Sequence, residues 1–119
     1  MSNQQAIVIH ISSGSVDDWQ MALRNLANLV NDDSVPTPPE LIHVVVNGQA
    51  VRFLLSSGPE AEKVTRMAEA GVDITACSNS LDRFGHAAVD LAPGVGTVPS
   101  GVAAAVRAQQ GGSAYLKLP

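Results

Sequence analysis

The sequence predicts an α/β domain, a mainly parallel sheet with helices on both faces. Two observations carry this. The runs Ala6–Ile11 and Leu41–Val46 are rich in β-branched residues and apolar on both parities, the pattern of strands covered on both sides, and Val72–Ala76 reads as a short buried strand. Between them lie amphipathic segments with helical spacing, and strand and helix alternate along the chain. A length of 119 residues fits one domain, 1–119, large enough to bury a core without disulfides or metals.

Taken in order, Ala6–Ile11 is the first strand and Ser12–Ser15 a polar loop. Ser15 with Asp18 forms a variant capping box ahead of a helix whose apolar face is Trp19, Ala22, Leu23, Leu26, Ala27 and Val30. Trp19 reads as core or interface rather than a ligand platform, and Asn25 and Asn28 as solvated or bonded across a subunit contact. Asn31–Ser34 stop that helix, and Val35–Pro39 is too proline-rich for helix or central strand. Leu41–Val46 is the second strand, broken at the turn signal Asn47-Gly48. Ala50–Leu55 reads as a short helix, and Ser57-Gly58-Pro59-Glu60 as the start of a longer one with Pro59 in its first turn. Ala61, Val64, Met67 and Ala68 form the buried face of that longer helix, and Gly71 its stop. Val72–Ala76 is the third strand, ending at Cys77, with Ser78 and Asn79 as N-cap of a short helix. Val95–Val98 is a fourth strand, Val102–Gln110 an alanine-rich helix, and Ser113–Leu118 an edge strand.

Composition narrows the function classes. Charged residues make up 15% and apolar residues 45%, low charge for a small monomer, so some apolar surface is expected to be buried between subunits. Net charge is −4 with no Lys/Arg cluster, which disfavours nucleic-acid or anionic-membrane binding. Cys77 is the only cysteine, so no internal disulfide can form and a reducing, cytoplasmic location fits. Met1–Gln5 lacks the basic region of a signal peptide, and no apolar run is long enough to span a bilayer.

In parallel α/β sheets, ligands bind beyond the C-terminal strand ends. Ser12–Ser15, Asn47-Gly48, Cys77–Ser80 and Pro99–Gly101 all fall there. Cys77 ends a strand and faces a helix N-terminus, where a thiolate is stabilised; the bland alternative is a buried cysteine acting as a small hydrophobe. Asn47, Gly48, Ser78, Asn79 and Ser80 can donate hydrogen bonds to a small anion or to oxidised sulfur, or can serve only as turn and cap residues. Pro99 and Gly101 complete the candidate ligand edge. His10 and His43 lie inside strands and read as packed core histidines, whereas His86 lies in a loop. A cysteine hydrolase would need one of these imidazoles beside Cys77. Their spacing with Cys77 matches no zinc site, and Gly94-Val95-Gly96 with Gly101 matches neither a P-loop nor a dinucleotide fingerprint. No metal or cofactor is therefore expected.

The pattern Gly71-Val72-Asp73-Ile74-x-Ala76-Cys77-x-Asn79-Ser80-Leu81, with Val98-Pro99-x-Gly101-Val102 and Gln110-Gly111-x-x-Ala114-Tyr115-Leu116-Lys117, resembles the DsrE/DsrF-like family, in particular its short single-domain branch. Val44–Gly48 and the helix carrying Trp19, Leu23, Asn25 and Asn28 extend the likeness over nearly the whole chain. The resemblance implies a flavodoxin-like three-layer α/β/α fold with about five strands, and homo-oligomers that are trimers or hexamers. It also implies that Cys77 is the counterpart of the cysteine that carries sulfane sulfur as a persulfide between partner proteins in the sulfur-relay members. The competing reading is an oligomeric module binding a small anion or nucleotide, with Cys77 structural.

Overall fold

The computed structural model describes residues 4–119. Part of the segment read above as no signal peptide, residues 1–3, lies outside the described residues. Five strands form one sheet: β1 (Ile7–Ile11), β2 (Ile42–Val46), β3 (Asp73–Cys77), β4 (Gly96–Val98) and β5 (Ala114–Lys117). Their order is β4-β3-β2-β1-β5, and every neighbouring pair is parallel. Four helices connect them: α1 (Val16–Val30), α2 (Ala61–Glu69), α3 (Ser78–Arg83) and α4 (Gly101–Gln110).

The chain steps from β1 to β4 in one direction and then crosses back to set β5 beside β1. This divides the core in two. On one face Ile9, Ile11, Val44, Val46, Ile74 and Ala76 pack with Trp19, Leu23 and Leu26 of α1, Val64 of α2 and Leu81 of α3. On the other face Val8 and Val45 pack with Ala105 of α4. The central strand residues Val8, Ile9, Ile11, Val44, Val45 and Val46 are apolar on both parities because each meets one layer or the other. The layers are unequal: one ten-residue helix, α4, covers the second face. The histidines on that face are consequently not packed in the core. His10 and His43 are only half-buried, against the core placement their strand positions suggest, because the single helix leaves the flanks of the sheet open. His43 instead pairs with Asp73 on the neighbouring strand at 3.1 Å.

Local chemistry explains the element ends. Ser15 is the N-cap of α1, its hydroxyl accepting from the Asp18 N–H at 3.3 Å, and the Ser13 hydroxyl donates to the Asp18 carboxylate at 2.6 Å. Trp19 is buried and stacks on Phe53 with centroids 5.2 Å apart, while Asn25 and Asn28 are exposed. Gly48–Leu54 is a 3-10 helix, matching the short helix expected from residue 50 on.

Three expectations shift. Leu41 belongs to a 3-10 turn, Pro39–Leu41, so β2 begins at Ile42. Pro59 lies outside α2: the Ala61 N–H donates to the Gly58 carbonyl at 3.2 Å, so the proline sits inside a turn and Glu60 is the N-cap. Ser78 and Asn79 do not cap α3. Cys77 is itself the N-cap, because the strand passes into the helix with no intervening residue. Among the described residues no helix is long and apolar enough to cross a membrane.

Leu26 is 1% exposed, so Leu26→Ala should cost about 2–5 kcal/mol of stability. Ser15→Ala should cost about 1 kcal/mol through loss of the cap. Urea unfolding of both variants checks the order: a cap variant as costly as the core variant would contradict this account of where stability resides.

Candidate functional site

Cys77 stands at the end of β3, on the strand parity that faces α4. Val98, its register partner on β4, flanks it on one side. On the other side Val46 pairs with Ala76, so Asn47 and Cys77 are the next residues across the ladder. The first residue of α4 closes over both. A methyl group at Gly101 would lie 3.0 Å from Val45 Cγ1, 3.2 Å from Asn47 Cβ and 3.3 Å from Cys77 Cβ. A side chain here would force these neighbours to give by a few tenths of an ångström, so glycine suits this close approach. The Val-Pro-x-Gly turn is thus the joint that brings the helix start onto the cysteine.

The loop after β2 is tied to the same place. Gly48 has φ +65°, a left-handed conformation that glycine adopts without strain. Its N–H donates to the Ser80 hydroxyl oxygen at 2.8 Å. The Asn79 N–H donates to the Pro99 carbonyl at 3.3 Å, joining the α3 start to the loop before α4. Of the anticipated ligand-edge residues, Asn47, Gly48, Asn79, Ser80, Pro99 and Gly101 therefore gather around Cys77. Ser78 is the first residue of α3 and half-buried; its side chain makes no hydrogen bond among the described residues.

The electrostatics favour the thiolate. Burial pushes the Cys77 thiol up, since its residue is 5% exposed. The Ser80 hydroxyl and the backbone N–H groups of Gly101, Ser80 and Asn79 pull it down by more, leaving it below its ordinary value. No side-chain capping hydrogen bond of ordinary geometry forms at Cys77. These donors therefore act chiefly on the charge that appears on deprotonation.

No imidazole hydrogen-bonds Cys77 among the described residues, so the geometry lacks the base a thiol hydrolase requires. His86 lines a separate depression with Gln49, Arg52 and Phe84. His10, read above as a packed core histidine, joins the neighbourhood through Asn47. Its Nε2 lies 2.8 Å from Asn47 Oδ1 and its Nδ1 lies 2.9 Å from the Tyr115 hydroxyl. A histidine at the last-but-one position of the first strand was the only sequence signal for it. A concavity of about 640 Å³ between α1 and α2 is lined by Leu23, Ala27 and Met67 and contains none of these residues.

A profile of the DsrE/DsrF-like family matches residues 6–118, the span that holds the sheet and all four edge loops. The chain belongs to the DsrE/DsrF-like family. Its fold is similar to that of the protein of unknown function MTH1491 from Methanobacterium thermoautotrophicum, at 32% identity and a TM-score of 0.84, covering 95% of this chain and 98% of that one. The conserved protein of unknown function BT1422 from Bacteroides thetaiotaomicron aligns at 18% identity and TM-score 0.76, over 99% of this chain and 98% of that one. The ychN protein from E. coli aligns at 14% identity and TM-score 0.70, over 96% and 99%. At these lower identities the likeness shows the fold alone. No protein of curated function matches this DsrE/DsrF-like chain.

Three outcomes follow for this DsrE/DsrF-like site. Ser80→Ala removes the largest stabiliser of the thiolate, so the alkylation midpoint of Cys77 should rise toward the free-thiol value of about 8.5, while the wild-type midpoint lies below it. Because the folded thiol titrates below the unfolded one, its contribution to stability is present above about pH 8.5 and lost as pH falls through the native value. Denaturation of wild type and Cys77→Ser across that window should therefore diverge with rising pH. Gly101→Ala should destabilise the fold by about 1–3 kcal/mol through overpacking and raise the thiol midpoint as its N–H is displaced. An alanine variant with wild-type stability and reactivity would refute the close-contact role of Gly101.

Proposed function

We propose that this protein is a sulfur carrier that holds sulfane sulfur as a persulfide on Cys77. The observation that carries the reading is a single thiol, shifted toward thiolate, at the strand-end edge of a DsrE/DsrF-like fold. The step balances without a cofactor. The Cys77 thiolate attacks the outer sulfur of a donor persulfide, R–S–SH. A Cys77–sulfur bond forms, the donor's sulfur–sulfur bond breaks, and its electron pair leaves on R–S⁻. The departing thiolate, the stronger base, takes the proton, which leaves Cys77–S–S⁻ and R–SH. Delivery is the same exchange in reverse, onto the thiolate of an acceptor protein, so no second cysteine in this chain is required.

Donor and acceptor proteins are thus the partners we propose, in the reducing cytoplasm where a lone thiol stays reduced. A homo-oligomer, trimer or hexamer, is part of the same reading. The low charge of the chain and the exposed Val102 and Val106 on α4 support it.

A second reading rests on the 5% exposure of Cys77. Here the thiol is a packing residue and the loop edge binds a small anion or nucleotide. Intact-mass spectrometry after incubation with a persulfide donor separates the two. The carrier gains one sulfur atom, lost on reduction and absent in Cys77→Ser. A protein that gains none, and whose thiol alkylates only after denaturation, is the binding module.

A further inference from the structure

The four donors that favour the Cys77 thiolate come from Ser80, Gly101 and Asn79 and act on the cysteine's own sulfur. A persulfide carries its charge on a second sulfur, about 2.05 Å farther out, which needs a donor of its own. Asn47 is the neighbour of Cys77 across the ladder, and both lie against Gly101. The Asn47 carboxamide makes one hydrogen bond among the described residues, through Oδ1 to His10 Nε2 at 2.8 Å. That bond lies toward β1, whereas Cys77 is on the opposite side of Asn47, on β3. Fixing the oxygen toward β1 turns the amide nitrogen the other way. The nitrogen has no protein partner among the described residues and is not fully buried.

What fixes the oxygen is the imidazole. An oxygen acceptor at Nε2 requires Nε2–H, and neutral His10 then has a lone pair on Nδ1. The Tyr115 hydroxyl, 2.9 Å from Nδ1, donates to that lone pair and selects this tautomer. Phenol, imidazole and carboxamide form a directed chain from β5 through β1 to β2, its last free donor turned away from β1, toward the side of β3.

We propose that Asn47 binds the outer sulfur of the Cys77 persulfide through its amide N–H, and that His10 and Tyr115 are positioning residues that hold the amide in that orientation. This rests on the carrier reading for the identity of the ligand. It adds two residues that do not touch the sulfur and a donor distinct from those serving the thiolate.

The test uses the full chain loaded with one sulfur from an alkyl persulfide, with loss of that sulfur to cyanide followed by intact mass. Loss from Asn47→Asp should be roughly tenfold faster than from wild type, the cost of one charge-assisted hydrogen bond. His10→Ala and Tyr115→Phe should move in the same direction by less. His10→Gln, whose amide can donate to Asn47 Oδ1, should restore much of the lifetime. A merely structural role predicts no such rescue and an equal shift in the alkylation midpoint of the unloaded thiol. That midpoint should move little in the His10 and Tyr115 variants. Wild-type persulfide lifetimes in all four variants overturn the inference and leave the carrier reading standing. If wild type takes up no sulfur, the carrier reading fails, and the inference falls with its ligand. Independently of loading, nitrogen-15 spectra of the wild-type protein should show His10 with its proton on Nε2. A proton on Nδ1 would turn the Asn47 nitrogen toward the imidazole and overturn the inference outright.

Discussion

The contact of Gly101 with Val45, Asn47 and Cys77 is the constraint on which the candidate site depends. It fixes the start of α4 against the ends of β2 and β3, so one helix both roofs the second core and delivers an N–H to the cysteine. A larger residue would crowd the helix against the sheet at the point where the fold has least to spare, since among the described residues no other helix covers that face.

The two faces of the sheet divide the work. The larger core, built on α1, α2 and α3, supplies most of the buried apolar surface and holds β1, β2 and β3 in register. The thinner layer beneath α4 leaves half-exposed polar side chains on the strands, and these can be used chemically. His10, Asn47 and Tyr115 occupy that side. The same thinness leaves Val102 and Val106 exposed, so the feature that frees polar groups for chemistry also gives α4 an apolar outer surface.

The thiol illustrates how small terms combine. Burial alone would make Cys77 an inert hydrophobe. Three backbone N–H groups and one hydroxyl, drawn from two helix starts, reverse the sign. β3 runs straight into α3, which sets the sulfur among them. The hydroxyl is positioned in turn by the Gly48 N–H, so a loop on β2 contributes to the state of a thiol on β3.

The strands, the parallel sheet and the gathering of four loops at one edge were legible in the chain, because hydrophobic period and turn chemistry are local properties. So was the position of Cys77 at a strand end. The α2 and α3 starts were misplaced by one or two residues, because Pro59 serves equally in a turn or a first helical turn, and a cap can be the last residue of a strand. The roles of His10 and Tyr115 were not legible. They are 105 positions apart in sequence and meet only because β5 returns to the far side of β1. A histidine in an apolar strand reads as core whenever both faces are assumed to be covered equally. Sequence by itself determined which segments form strands and helices and where the lone thiol lies. Tertiary structure alone decided which polar groups surround it, because that depends on the strand order and on how closely one helix can approach the sheet.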